Sequence, residues 1–546
     1  SVSAQIDQKS SVTASGMGPD TGISLQAKES ASVSAVGIGL TAAIATATVK
    51  VKSLSGYSLA GSLAWNAIDN TTEASIAGSA VTAGMGGVSL HATDDAVVRG
   101  VAGTLAVSWE QSKGGSNRAV AAGLSLVVND VGQSSGHSVE AFVDSSTVDA
   151  LGDATIVATS TLAVEAYAVG GSVAVANRGN SSASGAGLGA VALNAVSQTI
   201  EARTEKAATI TAGNEVAVRA TDSSTVAGLA GSLALSYTSG GGYAEEGASL
   251  DQLAISLGLA IASNTIANDV HATIDSSTVK AGSISLVAES KKAADSTSDY
   301  RFVAQAYGLA ASVSQGQVPS TKRDLLSHVT LAFAGIGSFS RNSVDNDVTA
   351  SIQNCRTSAS DPAVESNVGG IVIEATDDSS LAAYAGGAAI GVGITKSLSG
   401  GNKLASGGTP AAGSGIGVSV SLNYIGSGRG HRVEAFIDDS TVRGQGGVSL
   451  TTKSTAQIDA WAVSGAIAVA ASGGPGPSTG LLGGVSGISF AGSGAATVNS
   501  IAMDVNSRIG KGSAVTASAG NVEVTATDNS KITATAGAGS LSLSGV

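Results

Sequence analysis

The segment VEAFVDSSTV at residues 139–148 recurs as VEAFIDDSTV at residues 433–442. In both copies small or branched apolar residues occupy alternate positions, and an acidic turn separates them from a second short apolar step. Alternation with period two is typical of β-strands, and Asp and Ser at the break favour a turn. The recurrence therefore predicts a strand-turn-strand element that the chain uses more than once.

A loose form of the same pattern, V-x-A-x-[IV], divides the whole chain at intervals of about 70 residues. It begins at Val2, Thr72, Val139, Ile200, Val270, Val348, Val433 and Val505. These starts define repeats at 1–71, 72–138, 139–199, 200–269, 270–347, 348–432 and 433–504, and a partial repeat at 505–546. Both ends fall inside a repeat, so we expect the chain to be a fragment of a longer one.

Each repeat continues with a second alternating strand that ends in a Thr-Asp step, as at 93–94, 221–222, 376–377 and 527–528. These aspartates are predicted to cap turns. An Ala- and Gly-rich strand follows and leads into a loop of variable length, as at 111–118, 238–249, 397–415 and 471–480. Insertions at one place in a repeat indicate that the loops emerge from one side of a scaffold, where they are available for contacts.

An N-x-[IV] step closes each repeat, and we interpret its asparagines as a structural ladder that caps turns and satisfies backbone groups. Its members are Asn66, Asn129, Asn194, Asn264, Asn342, Asn423 and Asn499. Asn129 and Asn423 lie farther from the next start than the others do, and both precede a VEAF copy with a histidine, His137 or His431, two residues before it. These two units form a repeat subtype.

These features predict an all-β protein, a parallel β-solenoid rod built from about eight repeats of roughly 72 residues. Aromatic residues are only 3% of the chain, so its core must consist of Val, Ile, Leu and Ala. If one coil takes about 20 to 25 residues, each repeat makes three coils, and the rod rises on the order of 100 Å. A second possibility is that each repeat folds as a small β-domain of its own.

The composition of the chain limits the classes of partner that we expect it to bind. The net charge of -13 would repel the phosphates of nucleic acid. The single cysteine, Cys355, allows no internal disulfide, which leaves an incidental thiol or an intermolecular bridge. No apolar run reaches the ~20 residues of a spanning helix, and no leader peptide opens the sequence. We therefore expect no nucleic acid partner and no membrane-spanning segment.

Four aspartates at equivalent repeat positions, Asp7, Asp144, Asp275 and Asp438, are the candidate calcium ligands. Calcium needs six to eight oxygen ligands and one turn supplies one or two carboxylates, so a role in the turn is the preferred interpretation. No motif for a nucleophile, phosphate loop or metal cluster occurs, and we expect neither catalytic residues nor a bound cofactor. Calcium remains the alternative.

Aromatic side chains recur after the Ala-rich strand, at Tyr167, Tyr307, Tyr384 and Trp461. Packing at a wide corner of the coil is the first interpretation, and an exposed row for sugar stacking is the second.

Segments 263–269, 269–290 and 347–352, which read SNTIAND, DVHATIDSSTVKAGSISLVAES and DVTASI, resemble repeats of giant bacterial surface proteins of the filamentous-haemagglutinin-like and leukotoxin-like adhesin type. The resemblance implies secretion and a structural or adhesive role in cell-surface attachment, cell-cell contact or an extracellular filament or sheath. It also implies self-association, and cell-surface or glycan ligands bound through the loops. The alternatives are a carbohydrate-binding or carbohydrate-active β-helix protein and a calcium-stiffened binding module.

Overall fold

The structure is a computed structural model that describes residues 1–16, 18, 21–134, 136–240, 251–294, 298–319, 329–357, 361–398, 411–473 and 487–545. The prediction of an all-β fold with parallel sheets is confirmed, because the described residues form 37 strands in four parallel sheets and no helix. The loop at 111–118 is described, whereas most of the longer loops at 238–249, 397–415 and 471–480 lies outside the described residues.

Sheet 1 contains short strands, long strands and two strands that join both kinds. The short strands are Val2–Ile6, Thr71–Ala77, Ser138–Asp144, Asp347–Gln353, His431–Asp438 and Met503–Ile509. The long strands are Ser53–Ile68, Ser116–Val131, Thr330–Val344, Ala411–Ile425 and Gly487–Ile501. Ser181–Glu205 and Gln252–Asp275 run through both parts without a break.

The other three sheets contain eight strands each. Sheet 2 comprises Ser11–Ala14, Ala80–Ala83, Thr147–Ala150, Thr209–Ala212, Thr278–Ala281, Val364–Ser366, Thr441–Gly444 and Ala514–Ala517. Sheet 3 comprises Ile23–Glu29, Val88–Asp94, Ala154–Ser160, Glu215–Asp222, Ser283–Ser290, Ile371–Asp377, Val448–Ser454 and Val522–Asp528. Sheet 4 comprises Ser32–Ala47, Val97–Ser112, Ala163–Gly179, Thr225–Gly240, Phe302–Pro319, Ser380–Leu398, Gln457–Gly473 and Lys531–Gly545.

The chain visits sheets 1, 2, 3 and 4 in turn and returns through a long strand to sheet 1, and we call each such passage a layer. Val2 pairs with Thr72, and Thr72 pairs with Val139, so hydrogen-bonded neighbours are about 70 residues apart. The expectation of three short coils per repeat is therefore wrong, since about 70 residues make one wide coil. At ~4.8 Å per strand the stack rises about 34 Å rather than 100 Å.

Each layer has two lobes. In the three-sheet lobe, the short strands of sheet 1 and sheets 2 and 3 enclose a core of Val, Ile, Leu and Ala, including Ile76, Leu90 and Ile156. This is the core that strand alternation predicts, with apolar side chains inside and polar ones outside. In the two-sheet lobe, sheet 4 faces the long strands of sheet 1.

A band of Val, Ile, Leu and Phe side chains, including Val98, Ile266 and Phe302, fills the two-sheet lobe where the strands of sheet 4 begin. Beyond it the interior consists of small side chains, mainly Ala, Ser and Gly. They let the two sheets approach so closely that a Cβ atom added to Gly37 would lie 2.6 Å from the carbonyl oxygen of Leu63. Large apolar side chains point outward instead, including Leu59 at 72% exposure and Trp65 at 63%. The composition predicts small residues between layers, but not this outward placement of the large ones.

Candidate functional site

The repeated acidic turns lie where sheet 1 passes into sheet 2. Asp144, Asp275 and Asp438 are each followed by a residue with a positive φ between 47° and 51°. The serine two positions after each aspartate, Ser146, Ser277 or Ser440, donates its hydroxyl to the aspartate carbonyl at 2.7 Å. Asp7 also accepts from the residue three positions on, Ser10, through its carbonyl. The turn at Asp7 is one residue longer, with a positive φ at both Gln8 and Lys9, so the same turn is built at three of the four positions.

The carboxylates of three of these turns contact the next layer. Asp144 accepts from Lys206 Nζ at 2.7 Å, Asp275 from Asn354 Nδ2 at 2.9 Å, and Asp438 from Arg508 Nη1 at 2.8 Å. Within the described ranges no group of three or more His, Cys, Asp or Glu side chains is placed to hold a metal ion. The turns therefore join neighbouring layers through ion pairs and hydrogen bonds.

The seven asparagines form a ladder inside the two-sheet lobe. Each of the first six donates its amide to the side-chain oxygen of the asparagine in the next layer, at 2.8 to 3.0 Å, and Asn499 accepts the last of these bonds. Five of them also donate to a carbonyl of sheet 4, as Asn264 does to Val303 at 2.8 Å. They lie within strands and bridge two sheets, so the interpretation as turn caps is corrected.

A second set of residues, polar except for Met503 and buried in the inner layers, separates the two lobes, and we call it the polar neck. Its sheet 3 column is Glu29, Asp94, Ser160, Asp222, Ser290, Asp377, Ser454 and Asp528, which the strand register aligns. Its sheet 1 column is Asn70, His137, Gln198, Asn268, Asn346, His431 and Met503. From Asp94 onward carboxylate and serine alternate in the first column. The neck therefore has a period of two layers.

The Thr-Asp steps of the sequence supply the carboxylates of the neck. One oxygen of Asp94 accepts the backbone N–H of Ala96 at 3.0 Å, and one oxygen of Asp222 accepts that of Ser224 at 2.9 Å. This is the turn-capping role that the sequence predicts. The other oxygen points into the neck, which the sequence pattern does not reveal because its partner comes from a distant segment.

The histidines of the VEAF subtype are those partners. His137 Nε2 lies 2.9 Å from Asp94 Oδ2, and His431 Nε2 lies 3.1 Å from Asp377 Oδ2. Each Nδ1 accepts a backbone N–H, from Asn70 for His137, so Nε2 carries the proton and faces the carboxylate. These side chains are at most 1% exposed, which keeps both pairs from any substrate. The burial of both His–Asp pairs therefore indicates a structural role.

Arg301 is the neck residue that sequence reasoning missed. Its guanidinium lies 2.8 Å from Asp222 Oδ2, also donates to Ser290 Oγ and the Ser224 carbonyl, and is fully buried with its partner. Burial raises the pKa of Asp222, but Arg301 and the hydrogen bonds from Ser224 and Asn268 outweigh it and hold that pKa below its usual value. The alternation of Asp and Ser along the neck is the signal that could have indicated a charged partner here.

The phenylalanines of the VEAF copies lie on the outside of the three-sheet lobe. The guanidinium of Arg203 lies 4.4 Å from the Phe142 ring centre, and that of Arg508 lies 4.4 Å from the Phe436 ring centre. In each case the arginine belongs to the next layer, at the position paired with the phenylalanine. The subtype thus combines a buried histidine with a cation–π contact between layers.

His271, on the outward face of sheet 1, is expected to make the stability of the fold depend on pH. Burial lowers its pKa, but Asp347 at 3.8 Å and Glu201 at 3.6 Å outweigh burial and raise it to about 9. Protonated His271 therefore stabilises the folded state. This contribution is fully present below about pH 6.5, the pKa of histidine in the unfolded chain, and it is lost as the pH rises through about 9, the pKa in the folded chain. Between these values we expect the free energy of unfolding to fall by about 1–2 kcal/mol.

Denaturant titrations across this pH range measure the loss. H271Q is expected to remove it. H91Q is the control, because burial lowers the pKa of His91 and the substitution leaves the His271 contribution in place. Equal slopes of stability against pH in the wild-type protein and H271Q would contradict the assignment.

The aromatic residues lie on the outward face of sheet 4 and not at a corner, so the corner interpretation is wrong. Tyr384 pairs with Trp461 in the adjacent strand, and Tyr307 lies opposite Gly386. Tyr307 and Trp461 border a shallow groove whose other walls are Gly, Ala, Ser, Val and Leu. The groove is almost entirely apolar, whereas sugar recognition requires placed polar groups as well as a stacking ring.

Cys355 is buried, and its thiol lies 3.2 Å from the Gln353 carbonyl oxygen. Burial raises the pKa of the thiol to about 11. A thiol that is buried and protonated at neutral pH is unsuited to an intermolecular bridge, which favours the incidental interpretation.

The described residues contain no helix that is long and apolar enough to cross a membrane. No protein-family model, curated protein or solved structure matches the chain.

Proposed function

We propose that the chain is an extracellular structural and adhesive repeat protein, a β-solenoid whose eight repeats each form one layer of a stiff stalk. The observation that carries the proposal is the direction of its polar contacts. The contacts of the asparagine ladder, the polar neck and the acidic turns each join one layer to the next and hold neighbouring layers in register.

This arrangement supports a mechanical role over a catalytic one. The carboxylates best placed for chemistry, Asp94, Asp222 and Asp377, are fully buried and neutralised or hydrogen-bonded by partners within the stack. The core supplies length and stiffness, and the loops and outer faces supply contacts to cells or to other chains. The resemblance to adhesin repeats fits this division of roles.

Immunogold electron microscopy tests the proposal on the native material. Antibodies raised against the 546-residue chain are expected to label filaments or a sheath outside the cell envelope, while pre-immune serum does not. Isolated filaments should show a layer spacing of ~4.8 Å along their axis. Label confined to the cell interior would contradict the proposal.

A further inference from the structure

The outward face of sheet 4 carries an apolar plate that the fold does not cover. The plate consists of the outward, alternate residues of 36–44, 101–109, 167–175, 229–237, 305–313, 384–392, 461–469 and 535–543. No charged side chain occurs at these described positions, and only Gln305 and Thr535 are polar without an aromatic ring. Leu105, Tyr307 and Trp461 are 39–43% exposed. The row immediately below it contains the charged residues Arg99, Glu165 and Asp459.

The plate is large enough for a stable interface. Five outward positions per strand span about 26 Å, and eight strands span about 34 Å, which gives about 900 Å². A standard interface buries about 800 Å² per partner, and the largest apolar patch on a typical monomer is about 300–600 Å².

In one of the five rows of the plate the relief repeats every second layer. One row across the eight strands reads Ile38, Gly103, Val169, Gly231, Tyr307, Gly386, Val463 and Gly537. Large side chains in odd layers thus alternate with glycines in even layers, as knobs alternate with holes. A partner that fills the holes of this row needs protruding side chains at the same spacing. That spacing is about 10 Å, because the holes recur at every second strand.

We infer that the apolar plate binds the plate of a second copy of this chain, face to face, about a twofold axis parallel to the strands. Such an axis reverses the order of the layers, so that the knob of Tyr307 meets the hole at Gly231, and Val169 meets Gly386. In this row the contact is self-complementary, as a twofold dimer requires. It also places Arg99 of the second layer opposite Asp459 of the seventh, which adds charge complementarity at the edge.

A second copy suits the plate better than lipid or glycan does. A bilayer has no 10 Å periodicity to match the knobs and holes of this row. A glycan would find almost no hydrogen-bonding groups in the groove. The inference rests on the proposed function and deepens it by naming the surface through which stalks associate.

Filling the holes tests the inference without disturbing the fold. A Cβ atom at Gly103 has no neighbour closer than 3.9 Å, and one at Gly231 makes only ordinary contacts at 3.6 and 3.7 Å. We expect the wild-type chain to sediment as a dimer at micromolar concentration and G103L/G231L to sediment as a monomer, with a dissociation constant at least tenfold weaker. Both should have the same circular dichroism spectrum, and their melting temperatures should agree at concentrations low enough for both to be monomeric.

The matched control is G185L/G187L, which makes the same change at open positions on the opposite face and should remain dimeric. A monomeric wild-type chain, or a G103L/G231L variant that dimerises like the wild-type protein, would overturn the inference. So would a monomer that floats with phosphatidylcholine vesicles, which would make lipid the occupant. A monomer found outside cells overturns only this inference, whereas a dimer found only inside cells overturns only the proposed function.

Discussion

The N264L variant is expected to lose about 3–5 kcal/mol of its free energy of unfolding, the largest effect of a single uncharged substitution in this chain. Asn264 accepts from Asn194 and donates to Asn342 and to the Val303 carbonyl, each at 2.8 Å. Leucine has a similar volume but none of these groups. Its neighbours in the ladder would be left with unpaired polar atoms in a dry interior, where water cannot replace the lost partners.

Guanidinium titration followed by circular dichroism measures the loss. S263A is the control, because Ser263 is the preceding residue and faces outward, and its change should stay within about 0.5 kcal/mol. The double variant N194L/N264L should lose less than the sum of the single losses, since the two residues share one bond. Unfolding of N264L at the wild-type denaturant concentration would show that the ladder contributes nothing.

The R301M variant is expected to lose about 3–5 kcal/mol, because it leaves the fully buried Asp222 carboxylate without its cation. R99M provides a matched control when the variants are compared at concentrations at which the chain is monomeric, since Arg99 also lies at the edge of the inferred interface. Arg99 also binds a carboxylate at 2.7 Å, that of Glu165, but its side chain is 54% exposed, and removal of such a pair costs about 0–1 kcal/mol. The two variants thus separate burial from the presence of an ion pair.

A second substitution distinguishes lost charge pairing from lost packing. In the R301M background, D222N removes the unpaired charge and should recover part of the stability, although D222N alone destabilises the wild-type protein. R301M should also gain stability relative to the wild-type protein at acid pH, where protonation neutralises Asp222. Equal losses in R301M and R99M would contradict the role assigned to the buried pair.

Local patterns in the sequence predicted much of this structure because strand alternation and turn chemistry are local properties. VEAFVDSSTV at 139–148 contains a strand, a turn with a positive φ at Ser145, and a second strand, in the order that the pattern indicates. The parallel pairing also follows from sequence, since identical short elements separated by long segments cannot pair through tight turns.

Two properties were beyond the sequence pattern because they depend on which distant segments meet. Short strands suggest short coils, and only the pairing of Val2 with Thr72 shows that a whole repeat closes one coil. The polar neck depends on contacts such as Asp222 with Arg301, which lie 79 positions apart. The outward apolar face was missed for a different reason, since alternation alone does not say which of two alternating sets faces the core.

The two-layer period of the polar neck restricts how such a chain can change length. Asp222 and Asp377 are each stacked between serines, whereas Glu29 and Asp94 already lie in adjacent layers, where Asn70 and His137 are their partners. Excision of the repeat that contributes Ser290 would place Asp222 and Asp377 in adjacent layers at ~4.8 Å, with no such partner added. Two buried like charges at that distance repel strongly. Loss of a single serine-bearing repeat between two such carboxylates should therefore be tolerated less well than loss of two consecutive repeats, which keeps carboxylate and serine alternating.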